Sequence, residues 1–223
     1  MNMRLAYLSV WLLSASSALA RDPGPLDLSR VPMEAETPEK FIPPGWKLEE
    51  SARGDLNGDG REDMALSLVE ALTPEEQVDD AGTRTLLVLI SQPEKWRRAG
   101  ASNQVLGCFD CTGTYAGEGG MVRIDKGVIV LTQLIADTHR EVVLRFRHDA
   151  KDGRFVLIGD EIQGDVPGKS QTLTVSTFPL QGRKVTETSR YDGRRNKIVL
   201  STRKAKIPVS RRYLEDVAAE KYF

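Results

Sequence analysis

Histidine and cysteine are nearly absent, with two of each in 223 residues. A structural zinc centre needs four such ligands, so zinc would have to draw Cys108, Cys111, His139 and His148 together. No G-x-S-x-G or H-E-x-x-H sequence accompanies them, and the glycine-rich run Thr112 to Gly120 lacks the GK[ST] of a nucleotide loop, so the pattern contains no nucleophile–base pair or zincin helix and that run no phosphate cradle. His139, beside Asp137 and Glu141, is the one acid–base candidate and reads more simply as an exposed residue at a strand start. Carboxylates are numerous, but nothing marks a pair set for glycoside hydrolysis. The sequence therefore reads as that of a non-enzyme. Long apolar runs are missing as well: beyond residue 20 none reaches the roughly 20 residues that span a bilayer as a helix.

What is present begins with a targeting pattern. Arg4, the apolar run Leu5 to Leu13 and the small-residue site Ala18-Leu19-Ala20 predict a signal peptide over residues 1–20, cleaved after Ala20. No cysteine follows the cleavage site to take a lipid anchor, so the expected product is periplasmic or secreted. Residues 21–45 hold six prolines among acidic residues. Proline fixes φ and denies a ladder donor, which predicts an extended leader outside the core. A single β domain is expected over 46–212, starting at Trp46 and Leu48, with a helical tail over 213–223.

One stretch organises that domain: Gly54-Asp55-Leu56-Asn57-Gly58-Asp59-Gly60-Arg61-Glu62-Asp63. Oxygen-bearing side chains fall at alternate loop positions in Asp55, Asn57 and Asp59 and again at Asp63, and the Arg61 carbonyl fills the position between. A hard cation takes six to eight oxygens at about 2.3–2.6 Å, which alternate residues of a tight turn can supply. Gly60 sits where such loops bend sharply. Calcium in a loop over 55–63 is the expectation; a metal-free turn is the alternative, because Asn-Gly and Asp-Gly are hairpin signals in their own right. An EF-hand would need a bidentate Glu at position 12 and flanking helices, whereas here Leu66 occupies that place within a strand-like run, Met64 to Val69.

In Gly54, Asp55, Asn57, Gly58, Asp59, Gly60 and Asp63 the stretch resembles the calcium loop of FG-GAP (integrin α-like) and VCBS-type repeats, GD-x-N-G-D-G-x-x-D before an apolar strand. Such repeats recur as propeller blades, so the resemblance implies bound calcium and a partial propeller. A single copy of the motif is equally compatible with a two-sheet sandwich. In its order of loop, buried strand, C-x-x-C, glycine-rich loop and hairpins, the chain is similar to exported bacterial proteins with one such loop.

The remaining elements follow from periodicity. Leu86 to Ile90 is a continuous apolar run ended by Gln92-Pro93, a fully buried strand. Acidic Leu72 to Thr83 connects the two strands, and its Asp79-Asp80 could add a ligand to the ion. Cys108 and Cys111, without spares in an oxidising compartment, predict one small disulfide, with a redox motif or zinc as alternatives. Thr112 to Gly120 reads as a flexible loop. From Met121 onward, turns at Asp125-Lys126-Gly127, Lys151-Asp152-Gly153, Pro179 to Gly182 and Asp192-Gly193 separate alternating segments, an antiparallel meander. Leu214, Val217 and Ala218 at helical spacing predict a short terminal helix.

Charge is segregated along the chain. Residues 21–82 carry 16 acidic and 6 basic residues, and residues 183–212 carry 11 basic and 2 acidic. The Arg183 to Arg212 hairpin is thus the expected binding face, for an acidic protein or an anionic envelope polymer rather than nucleic acid. Neutralisation by the chain's own acidic third, or simple guarding of a sheet edge by lysine and arginine, would explain the same pattern. The expected function is that of an exported, calcium-stabilised binding protein. The alternatives are an envelope-polymer hydrolase with structural calcium and a periplasmic immunity or inhibitor protein.

Overall fold

Alternating β-branched and leucine-rich segments, punctuated by turn residues, fold into thirteen strands in two antiparallel sheets. The computed structural model describes residues 24–71, 82–107, 114–116, 121–135 and 138–222. The signal-peptide segment, Leu72 to Ala81 of the acidic connection, and Cys108 and Cys111 lie outside the described residues.

The smaller sheet has the order β1-β5-β4-β3-β2. Its strands are β1 (Glu34–Ala35), β2 (Trp46–Gly54), β3 (Asp63–Glu70), β4 (Arg84–Ser91) and β5 (Trp96–Ser102). The larger sheet runs β13-β12-β11-β10-β9-β8-β6, with β7 also on β8. These strands are β6 (Thr114–Ala116), β7 (Val122–Asp125), β8 (Val128–Ile135), β9 (Arg140–Asp149), β10 (Arg154–Asp165), β11 (Gln171–Phe178), β12 (Arg183–Asp192) and β13 (Lys197–Lys206). Strands β8 to β13 form the expected meander. The two sheets pack face to face as a sandwich.

Both faces of the smaller sheet are covered, which explains the unbroken apolar run of β4. Leu86, Val88 and Ile90 enter the core between the sheets, with Leu131, Leu144, Phe146 and Leu157 from the larger one. Leu87 and Leu89 point the other way, into a second core with Met64, Leu66 and Leu68 of β3. That second core is closed by Leu26, Val31 and Phe41. The leader expected outside the core is therefore, from residue 24, part of the packed fold. Proline denies it ladder bonds but does not stop its side chains from burying. Arg98 donates to the Leu28 carbonyl at 2.8 Å and Asn103 to that of Leu26 at 2.9 Å, fastening the segment across the sheet.

The chain's end also differs from expectation. Leu214, Val217 and Ala218 are buried, but they lie on and between two 3₁₀ turns, Leu214–Asp216 and Ala219–Tyr222, not on one helix. The Ala219 N–H donates to the Gln104 carbonyl at 2.7 Å, and the Leu157 N–H reaches the Arg212 carbonyl at 2.9 Å. A segment whose backbone is bonded to neighbouring elements cannot complete i→i−4 bonds of its own. Among the described residues no helix is long and apolar enough to cross a membrane.

Candidate functional site: an oxygen-rich loop and a basic arm

The β2–β3 hairpin closes with Gly54 opposite Asp63, leaving residues 55–62 as its loop. Gly58 and Gly60 both adopt φ +81°, the left-handed region that glycine enters freely. Gly54 has a different reason to be glycine. A Cβ there would meet the Ile124 side chain at 2.6 Å, so the β7–β8 hairpin packs directly on the loop's entrance. Leu56 turns inward and is buried in the main core.

The loop's oxygens are engaged by its own amides. Asp55 accepts from Gly58 N–H at 2.7 Å and Gly60 N–H at 2.9 Å, and Asn57 accepts from Asp59 N–H at 2.9 Å. Asp59 accepts from Arg61 N–H at 2.9 Å and pairs with its guanidinium at 2.8 Å. Asp63 is fully buried, and its two oxygens accept from Leu56 N–H at 2.8 Å and Ser91 N–H at 2.9 Å, tying the loop to the end of β4.

Electrostatics separates the two carboxylates. The Arg61 amide, with the Asn57 amide and the guanidinium, holds Asp59 below the ordinary carboxylate range. Burial pushes Asp63 up against its two amide bonds, and the charges of Asp59 and Asp55 push in the same direction. The donor set thus fits a hard divalent cation in kind, being all oxygen, and in charge, because negative potential accumulates at Asp63. The oxygens are turned to the loop's own amides, and among the described residues no three acidic, histidine or cysteine groups form a metal-holding cluster in this arrangement.

Of the two histidines, His139 is exposed in a turn at φ +48°, and the ring of His148 packs against Phe155 with centroids 5.4 Å apart. Buried polar pairs that sequence reasoning missed hold the sandwich together. Arg84, almost fully buried, pairs with Glu49 at 2.6 Å and donates to the Gly107 carbonyl at 3.1 Å. Arg212 pairs with Asp160 at 3.2 Å beside Tyr222. Their partners lie 23 to 52 positions apart in the chain, beyond any local pattern.

The basic hairpin is narrower than its sequence suggested. Its strands are β12 and β13, paired from Arg183 opposite Lys206 to Asp192 opposite Lys197. Arg211 and Arg212 lie beyond it and are engaged by Asp149, Asp152 and Asp160. The arm from Arg183 to Lys206 retains nine basic and two acidic residues. Its ion pair, among the described residues, is Arg195 with Asp192 at 3.8 Å. Acidic residues of the N-terminal third pair elsewhere: Glu34 with Lys95, Glu36 with Lys40, Glu49 with Arg84 and Asp59 with Arg61. Among the described residues, then, no acidic residue of the N-terminal third forms an ion pair with the arm, and Lys184 has Asp160 of the body nearby.

Every residue of β13 except Val199 is exposed. By register, Tyr191, Ile198 and Leu200 share the arm's outer face, opposite to that of the core residues Val142 and Leu144. They are 54, 65 and 75% exposed, so large apolar side chains stand in solvent beside the cations. Tyr191 and Ile198, with Thr172 and Ser189, line a shallow hollow of about 280 Å³. Comparison of the chain with protein-family models, curated proteins and solved structures finds no match.

Proposed function

We propose that the protein is an exported, non-catalytic binding module, a calcium-stabilised β-sandwich that presents the Arg183–Lys206 arm to an acidic protein partner. The observation that carries this reading is the arm itself. A sheet end crowded with cations, most of them without an ion pair among the described residues, costs self-repulsion until an acidic surface arrives. Exposed Tyr191, Ile198 and Leu200 beside those cations favour a polypeptide with acidic and apolar residues over a uniformly charged, hydrated polymer. Calcium, held by Asp55, Asn57, Asp59, Asp63 and the Arg61 carbonyl, would draw these oxygens from their own loop amides. It would also compensate the buried charge of Asp63. Its role is to stiffen the β2–β3 hairpin, on which the β7–β8 turn rests.

The test uses a fluorescent peptide of about ten alternating glutamates and valines, long enough to match a strand, at about 0.1 M salt, where surface attraction still reaches roughly 10 Å. Replacing Arg194, Arg195 and Lys197 by Ser should weaken its binding about tenfold, the summed effect expected of three surface charges, with the melting temperature nearly unchanged. Equal binding by wild type and variant, or a loss of stability instead, contradicts the reading.

A further inference from the structure

The end of the larger sheet carries more information than charge alone. Resting on the reading of the arm as the binding face, we propose that the partner binds by strand addition. An acidic, extended segment pairs with β13 as a ninth strand of the larger sheet.

Strand β13 is built to accept one. Its ten residues pair with β12 without a register shift and contain no proline. Its other edge, among the described residues, pairs with no strand. In an antiparallel ladder alternate residues turn their N–H and C=O groups away from the partner, so this edge presents a row of unpaired donors and acceptors, the usual template for another strand. Ile198 and Val199 add β-branched side chains that favour the pleated conformation. By contrast, β2 at the far end of the smaller sheet is broken by a register shift between Leu48 and Glu50. There the Glu50 carboxylate accepts from the Met121 and Val122 amides.

The side chains of β13 select the occupant. Lys197, Arg203, Lys204 and Lys206 would face a second β13 carrying the same four cations, and like charges directly opposite one another destabilise a pair. An acidic strand meets no such penalty. The same residues that guard the edge against self-association therefore leave it open to a complementary chain. By register, the incoming strand should be apolar where it lies beside Ile198 and Leu200 on the outer face. It should be acidic where it lies beside Lys204 and Lys206 on that face, and beside Lys197 and Arg203 on the other.

The test compares the glutamate–valine peptide, whose valine face can lie beside Ile198 and Leu200 and whose glutamate face beside Lys197 and Arg203, with versions N-methylated on one alternate set of amides, on the other set, and on both. Methylation removes N–H donors and blocks ladder approach without changing charge. Strand addition predicts that methylation of both sets weakens binding about tenfold or more, as expected for several lost backbone hydrogen bonds. At least one single-set version should keep its affinity, because a strand uses one edge at a time. Hydrogen exchange of the segment 197–206 should slow when the parent peptide binds. Equal affinity of the doubly methylated peptide would overturn strand addition while leaving the arm a charged binding face. No binding of the parent peptide would overturn both. A dimer of the protein alone that protects β13 would place a second copy there and overturn the acidic-segment assignment.

Discussion

At the scale of single residues, the account turns on carboxylates placed where charge is costly or well supported. Asp63 has both oxygens on amides, yet burial and the neighbouring Asp55 and Asp59 raise its pKa. The proposed cation in the loop would remove that cost. With a dissociation constant of ~0.1 mM, ~1 mM calcium should add about 1.4 kcal/mol, or roughly 3–6 °C in melting temperature for a chain of this size. Asp59→Ala, which removes a ligand from the exposed side of the loop, should lose that shift in differential scanning fluorimetry. A shift that persists in the variant, or is absent from wild type, removes calcium from the account. Asp160 gives the pH dependence. Burial raises its pKa, outweighing its bond to Thr177 and the attraction of Arg212. A carboxyl raised in the folded state contributes stability that is fully present below its unfolded value near 3.9 and is lost as pH climbs through the folded value. Asn cannot ionise, so Asp160→Asn should cost more at pH ~3.5 than at pH ~7. Urea unfolding at the two values measures the difference, and a cost that grows with pH contradicts the assigned direction.

At the scale of elements, the segment 24–45 acts as a third layer whose importance rests on Phe41. That side chain is fully buried against β3 and β4, and Phe41→Ala should destabilise the protein by about 3–5 kcal/mol, the usual cost of emptying a core aromatic site. Denaturant unfolding checks this, and a loss under about 1 kcal/mol would return the segment to a leader. The sequence hid this role because Leu26, Val31 and Phe41 follow no strand or helix period, while the prolines between them announce loop. Elsewhere local pattern sufficed. The run Leu86 to Ile90 marked a strand covered on both faces, and the alternation of Val142, Leu144 and Phe146 along 140–149 matches their burial on the inward face of β9. Leu214, Val217 and Ala218 satisfied a helical spacing that two 3₁₀ turns meet equally well, and the deciding bond, from Ala219 to Gln104, joins positions far apart in sequence. The oxygen positions of the 55–63 loop were legible for a similar reason, since loop chemistry is local. The long-range latches were not: the reach of Asp63 to Ser91, and of Ile124 onto Gly54, depends on strands that meet only in the fold.

At the scale of the whole molecule, charge segregation along the chain becomes segregation in space. Among the described residues, Glu34, Glu36, Glu49 and Asp59 of the acidic third find their cations within the body, whereas the basic segment forms the end of the larger sheet. The sequence left open whether these regions neutralise each other, because net charges do not specify neighbours. The structure separates scaffold from arm, and that separation is the central claim. Glu187 lies directly opposite Thr202, so Thr188 to Ser201 can be replaced by Asn-Gly, a pair suited to a two-residue hairpin turn. The decisive measurement is made on this shortened chain, recording peptide binding and the melting temperature with and without calcium. With four of the nine cations and half of β13 removed, peptide binding should weaken about tenfold or more while the body melts within a few degrees of wild type and keeps its calcium shift. Unchanged binding, or a body that no longer folds without the outer half of the arm, would contradict it.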